Sequence, residues 1–419
     1  MEGKQLLWET GHKSLKECLD DEWGILASDR SSAYGTIFGR DALITASLLL
    51  DTLARQSDPE LRKLAQKSIE MSFRNLIRLQ GTVERDKNEE QPGKIIHEYW
   101  SLPTPRLRQW GWPLVEGRYY GSIDATLLFI IVAAQFLRAF TESELRGELE
   151  KPLAQAMSWL EHYAFDHTGG LVAYHRRNPG QGVVHQVWKD AGPDTIMMPD
   201  LRRAPEPVAW VELQAYAAAA IREYNSLRRS LLPKLPETRL KGSKIAEHLE
   251  KDFYSEEERG LVMAIDGHGG QVPVASSNQG HVLWAGAVGI PMAREIASRL
   301  LEPDLLTDSG IRTVSSDSYL YNPWSRQRGA IWPHDCAMIA VGMMRYALSE
   351  EAKSIAARVA NGIEHFGTAV ELYSLLDKEE LIDPKASRDT VLAFTLPNHY
   401  ASTHQAWSAA GLLYLSTLL

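Results

Sequence analysis

Cysteine is scarce. The two copies, Cys18 and Cys336, lie far apart in the 419-residue chain and match no metal-ligand spacing. One disulfide between them is an option, but a reduced, unpaired pair in the cytosol is the expectation. Concentrated basic charge is also missing. The net charge is −9 and is spread along the chain, which argues against a nucleic-acid surface. No apolar run is long enough to span a bilayer; the longest, residues 125–134, reads as a buried core helix. The opening MEGKQLLWETGHKSLKE lacks the apolar stretch of a secretory signal, so a cytoplasmic protein without membrane contact is expected. There is no Gly/Ser linker, low-complexity tract or short repeat, and one domain over residues 1–419 is the simpler organisation. No G-x-S-x-G elbow and no G-x-x-x-x-G-K-[ST] loop occurs, which removes the serine-hydrolase and phosphate-loop readings. His97-Glu98 opens like a zinc motif, but no second histidine follows on the next helical turn. Neither metal nor cofactor is therefore expected.

What remains is an ordinary globular composition, 44% apolar and 24% charged, with a conspicuous twelve tryptophans. Tryptophans serve as rigid core anchors, and those near loops can also line a sugar site. Apolar residues at three- and four-residue spacing predict eleven helices, near 2–20, 41–56, 59–80, 122–140, 144–163, 208–226, 237–252, 279–300, 329–348, 351–366 and 403–418. Asp41, Ser122 and Thr141 stand where helix caps are wanted. Segments 42–50, 125–134, 208–221 and 406–418 are apolar all round, whereas 59–80 and 237–252 are amphipathic. That alternation suits two concentric helical layers in an all-α fold. Strand signals are limited to 169–177 and 259–270, which read as short β-hairpin excursions in loops. Long loops at 81–121, 177–207, 311–329 and 371–402 are the places to look for chemistry.

Four stretches carry candidate groups. In IFGRDALITA, Arg40 and Asp41 could be a local ion pair at a helix start, or a donor–acceptor clamp for adjacent sugar hydroxyls. EEQPGKIIHEYW places Lys94, His97, Glu98 and Trp100 on a loop that is either pocket wall or a satisfied turn. WKDAGPDTIMMPDLRRAPEPVAWVELQAY offers Asp190 beside Trp188 and Lys189, with Asp194 and Asp200 better read as turn residues. Its Glu212 falls in an apolar helix, where a carboxylate needs a partner or a ligand. Finally, Trp332, His334 and Asp335 open an apolar helix in YNPWSRQRGAIWPHDCAMIAVGMM.

The order FGRD, QPGKIIHE, YGSIDATLLF, WKDAG, PEPVAWVELQAY, SNQGHVLW, GIRT, YNPWSRQRGAIWPHD and QAW resembles the glucosidase domain of glycogen-debranching enzymes. More broadly it is similar to the six-hairpin glycosidases, over a span from about residue 30 to the C-terminus. The resemblance implies an (α/α)6 toroid of six helical hairpins without the preceding β-rich domain. It also implies inverting hydrolysis of an α-glycosidic bond by two carboxyl groups, ~6.5–9.5 Å apart across a shared cavity. The W-K-D-S stretch of the family puts the general acid on Asp190, and P-E-L-F, best matched by VELY, puts the base on Glu371. It implies substrate contacts from Arg40, Asp41 and Asp124, a site wall of Trp332, His334 and Asp335, and a closing Gln405 and Trp407. His97, Trp188, Lys189 and Glu212 complete the candidate substrate-binding set. Trp188 is expected to desolvate Asp190 and raise its pKa, and Lys189 to lower it if turned inward.

Departures cluster where an aglycone would sit. Ala191 follows the acid where Ser is usual, Arg326-Gln327-Arg328-Gly329 replaces Y-H-N-G, and His404 replaces a Pro. These bear on the substrate more than on the reaction. The expected activity is removal of a terminal glucosyl or similar hexosyl residue, as in an α-1,6-glucosidase, with a carbohydrate substrate and neither nucleic acid nor membrane as partner. The alternatives are hydrolysis of a small α-glucoside or α-mannoside with a charged aglycone, and a sugar-binding protein on the same barrel. Epimerisation would need a histidine pair facing the pocket instead of two opposed carboxylates.

Overall fold

Two kinds of helix alternate along the chain. The computed structural model describes residues 2–101, 111–165, 170–376, 380–381 and 401–419. Among them are twelve α-helices: α1 Glu2–Glu17, α2 Gly39–Arg55, α3 Pro59–Arg78, α4 Asp124–Ala139, α5 Leu145–Tyr163 and α6 Val211–Ser230. Then follow α7 Gly242–Asp252, α8 Asn278–Ala285, α9 Ile290–Leu300, α10 Pro333–Arg345, α11 Ser349–Phe366 and α12 Ala406–Ser416. The even-numbered helices are apolar nearly all round. Every residue of α8 and α12 is buried, as is almost all of α4. The odd-numbered helices bury one stripe. In α3 the stripe is Leu61, Ala65, Ile69, Phe73 and Leu76; in α7 it is only Ile245 and Leu249.

This difference sorts the helices into layers. The even helices pack in a closed ring, α2 on α4, α4 on α6, α6 on α8, α8 on α10, α10 on α12, and α12 back on α2. Each odd helix lies outside: α3 on α2, α5 on α4, α7 on α6, α9 on α8, α11 on α10, and α1 on α12. The architecture is the (α/α)6 toroid of six hairpins, all-α with short strands in its loops. No described helix is long and apolar enough to cross a membrane. Cys18 and Cys336 are buried and free.

Several expected boundaries shift for local reasons. The segment 279–300 is two helices, because Gly286 takes a left-handed φ of 62° and Pro291 then starts α9. Helix α2 begins at Gly39 with Phe38 before it, so Asp41 lies within the first turn and does not cap the helix. Thr141 does not cap α5; the helix follows Glu144, whose side chain makes no cap bond, and Ser143 Oγ accepts from the Leu145 N–H at 3.3 Å. The described strands are two residues long. Ile37–Phe38, Glu98–Tyr99 and Arg118–Tyr119 form one antiparallel sheet leading into α2. Ala209–Trp210, Ala264–Ile265 and Gln271–Val272 form another leading into α6. The expected hairpin at 169–177 is reduced to isolated bridges, Phe165 with Val172 and Tyr174 with Val208; residue 169 lies outside the described residues. Residues 377–379 and 382–400 of the long loop 371–402 also lie outside them.

Candidate active site

The first turns of the inner helices meet at one end of the ring and bring a set of buried polar residues there. Arg40 and Asp41 come from α2, Asp124 from α4, Glu212 from α6, and Asn278 and His281 from α8. His334 and Asp335 come from α10, and Gln405 and Trp407 from the start of α12. Over them lies a cavity with about 670 Å³ of empty space, open on one side. Of the residues anticipated from the sequence, Arg40, Asp41, His97, Trp188, Asp190, Trp332, Glu371, Gln405 and Trp407 line it.

Two carboxylates from different loops face this cavity, each held by its own arginine. Arg40 is buried and forks: Nε donates to Asp124 Oδ2 at 2.7 Å and Nη1 to Asp190 Oδ2 at 2.9 Å. Glu371 accepts from the Arg326 guanidinium on one oxygen and from the Ser402 amide at 3.0 Å on the other. About 26% of the Asp190 side chain is exposed, and the cavity it lines has Trp112, Trp188, Trp332 and Trp407 in its wall. Burial pushes its carboxyl above the usual range; Arg40 pulls it back and Asp124 adds to the push. Asp41 accepts a 3.1 Å hydrogen bond from Gln405 Nε2. Burial raises it to about 8, against the pull of Arg40 and with added repulsion from Asp190 and Glu371. His97 is held well below its ordinary pKa by burial and the nearby Arg40 charge, so its ring is neutral.

No protein-family model matches the chain, and no curated protein does. Solved structures do match. A GH63 mannosylglycerate hydrolase from Thermus thermophilus, in complex with Tris and D-glycerate, aligns with a TM-score of 0.64 at 17% identity. The match covers 97% of this chain and 99% of that one. The same enzyme in complex with glucose gives 0.64 at 18% identity, with the same coverage. A further glycosidase gives 0.62 at 13% identity, over 100% of this chain and 98% of that one. The fold is one that glycosidases use.

Five of the anticipated residues lie one layer behind the cavity wall. Asp124 accepts from Arg40 and from Ser122 Oγ, at 2.7 Å in each case, so it anchors the arginine and does not face the space. Lys189 points away from Asp190. Its ammonium donates to the Thr313 carbonyl at 2.6 Å, and burial lowers its pKa to about 8. Asp335 accepts from His281 Nε2 at 2.8 Å, while His281 Nδ1 meets the Tyr216 hydroxyl. His334 stacks on Trp407 with ring centroids 3.9 Å apart, and burial lowers it to about 3, leaving it neutral. Glu212 is fully buried, and neither of its oxygens accepts a hydrogen bond within ordinary geometry among the described residues. Burial raises Glu212 to about 7, with His281 drawing it down. Trp188 stacks on His281, ring centroids 5.4 Å apart, and so joins this rear cluster to the cavity wall.

The structure adds wall residues that spacing did not single out: Tyr34, Phe38, Trp112 and Val183. Phe38 immediately precedes FGRD's glycine, and Trp112 sits in an aromatic-rich loop, so both had a weak signal. Of the two arginines noted as departures, Arg326 lines the cavity and is bound to Glu371. Arg328 pairs with Asp194 at 2.7 Å and is not part of the lining.

Proposed function

We propose that this chain is an inverting α-glycosidase that releases a terminal glucosyl or similar hexosyl residue. Asp190 is the general acid and Glu371 the general base. The carrying observation is that these two carboxyl groups, from separate loops, face one aromatic-walled cavity and are each fixed by a different arginine. The acid must hold a proton at the start of the reaction, and burial of Asp190 favours that form. Asp190 gives the proton to the glycosidic oxygen as its bond to C1 breaks. Glu371 takes a proton from a water that attacks C1 on the opposite face, so an α-glycoside yields a β-sugar and an alcohol. Asp41, Gln405 and the indoles of Trp332 and Trp407, all on the cavity wall, hold the terminal ring in this reading. The glycosidase neighbours support the reaction class through a shared fold.

A second reading is a small α-glucoside or α-mannoside with a charged aglycone. It is favoured by the cation Arg326 on the wall and by the neighbouring mannosylglycerate hydrolase. A panel containing isomaltose, maltose, α-glucosylglycerate and α-mannosylglycerate separates the two. On the preferred member, Asp190→Asn and Glu371→Gln should each lower kcat by roughly 10²–10⁴-fold. Full activity in either variant would remove that residue from its role. Binding of panel members without turnover of any would favour a sugar-binding protein on the same barrel.

A further inference from the structure

The loop carrying Asp190 has no regular secondary structure, yet it is fixed on both sides of that residue by one side chain. Gln327 is buried and uses its whole amide on this loop. Its Nε2 donates to the Trp188 carbonyl at 2.8 Å, and its Oε1 accepts from the Ala191 N–H at 2.8 Å. Asp190 stands between the two anchors. Lys189 ties the same stretch to Thr313 through its 2.6 Å bond to the carbonyl. The brace is itself held. Trp332 Nε1 donates to the Arg326 carbonyl at 2.6 Å, and the Gly329 N–H donates to Thr313 Oγ1 at 3.0 Å. Arg326, the neighbour of Gln327, binds Glu371.

We propose that Gln327 is a positioning residue whose side-chain amide braces the backbone on either side of Asp190 and sets the direction of proton delivery. The inference rests on reading Asp190 as the general acid. A primary amide of this length serves the loop because it offers a donor and an acceptor together. Asparagine is one methylene shorter, and glutamate has no N–H for the Trp188 carbonyl. The adjacent pair Arg326-Gln327 thus reaches both carboxyl groups, one directly and one through its backbone. A misplacement of about 1 Å at such a site can cost on the order of 10²-fold in rate.

A residue that only stabilises the loop and one that aims the acid differ in how they respond to the leaving group. Fluoride departs without a proton from the enzyme, whereas methoxide needs one. The probes are therefore α-D-glucosyl fluoride and methyl α-D-glucoside, or the mannosyl pair if the mannosyl substrates are preferred. Gln327→Ala should lower kcat on the methyl glycoside by roughly 10–100-fold with KM nearly unchanged, and alter the fluoride rate by less than about 3-fold. Gln327→Met, close to glutamine in size and without either hydrogen bond or an added charge, should show the same selectivity, and serves if the alanine variant does not fold. The Ala191 amide, followed by NMR hydrogen exchange, should exchange at least about tenfold faster in Gln327→Ala. Equal losses on both substrates, no loss on either, or unchanged protection of Ala191 would overturn the proposal. Asp190→Asn is the control on the underlying reading. If it fails to discriminate fluoride from methyl glycoside, the acid assignment fails, while the Ala191 exchange still reports on the brace.

Discussion

Asp41 shows how the site works against the stability of its own fold. Its carboxyl is pushed up to about 8 by burial, whereas in the unfolded chain it titrates near 4. Between those values the folded chain holds a proton that the unfolded chain has released, so stability falls as pH rises across this window. Asp41→Asn removes the penalty. The variant should be more stable than the parent, by on the order of 1 kcal/mol or more near pH 8, with a smaller gain near pH 5. Urea melts at the two pH values check this, and a larger gain at pH 5 would reverse the sign and refute it. Activity should fall in the same variant, because Asp41 faces the cavity and is aligned by Gln405. At this scale the sequence was partly legible. Adjacent Arg40 and Asp41 invited both a local ion pair and a sugar clamp, but Arg40's partners lie 84 and 150 residues away, beyond the reach of spacing.

Inner and outer helices were legible as elements because burial on all sides and burial on one stripe leave different patterns. Eleven periodic segments anticipated the twelve described helices; the difference is the break at Gly286, inside a segment whose apolar spacing continues across it. Of the two-residue strands, Gly260–Leu261 and Ala264–Ile265 fall in the segment 259–270 read as a strand excursion; the others were not legible, since alternation needs more residues to be seen. Glycine marks where inner helices touch. A Cβ on Gly342 of α10 would lie 2.5 Å from the Trp284 nitrogen and 2.6 Å from Leu283 Cβ, both in α8. Gly342→Ala should therefore destabilise the chain by about 1–3 kcal/mol. A Cβ on Gly147, in the first turn of α5, would meet nothing within 4 Å, so Gly147→Ala should stabilise by roughly 0.5–1 kcal/mol. Denaturant midpoints of the two variants should move in opposite directions; an unchanged or raised midpoint in Gly342→Ala would contradict the layer contact described for α8 and α10, and a lowered one in Gly147→Ala the open space at that position.

At the scale of the whole molecule, the ring brings the first turns of six inner helices to one end and lets distant loops meet above them. Glu371 and Arg326 are 45 residues apart and meet on the cavity wall, and Gln327, 136 residues from Ala191, reaches the loop that carries Asp190. No local pattern predicts such meetings. The ordered motifs made a cavity shared by Asp190 and Glu371 expected through resemblance, but neither the Arg326 contact to Glu371 nor the Gln327 brace. The toroid shows which of the named residues face the space and which lie behind it. Lys189, Glu212, His334 and Asp335 are buried behind the wall, while Asp190 and Glu371 are left facing the cavity. The central claim is that these two act from opposite faces of the sugar. ¹H NMR of the anomeric proton during hydrolysis of the preferred α-glycoside tests it most directly. The β-anomer should appear first and mutarotate afterwards; first appearance of the α-anomer would mean retention and would contradict the assignment of Glu371 as a base acting through water.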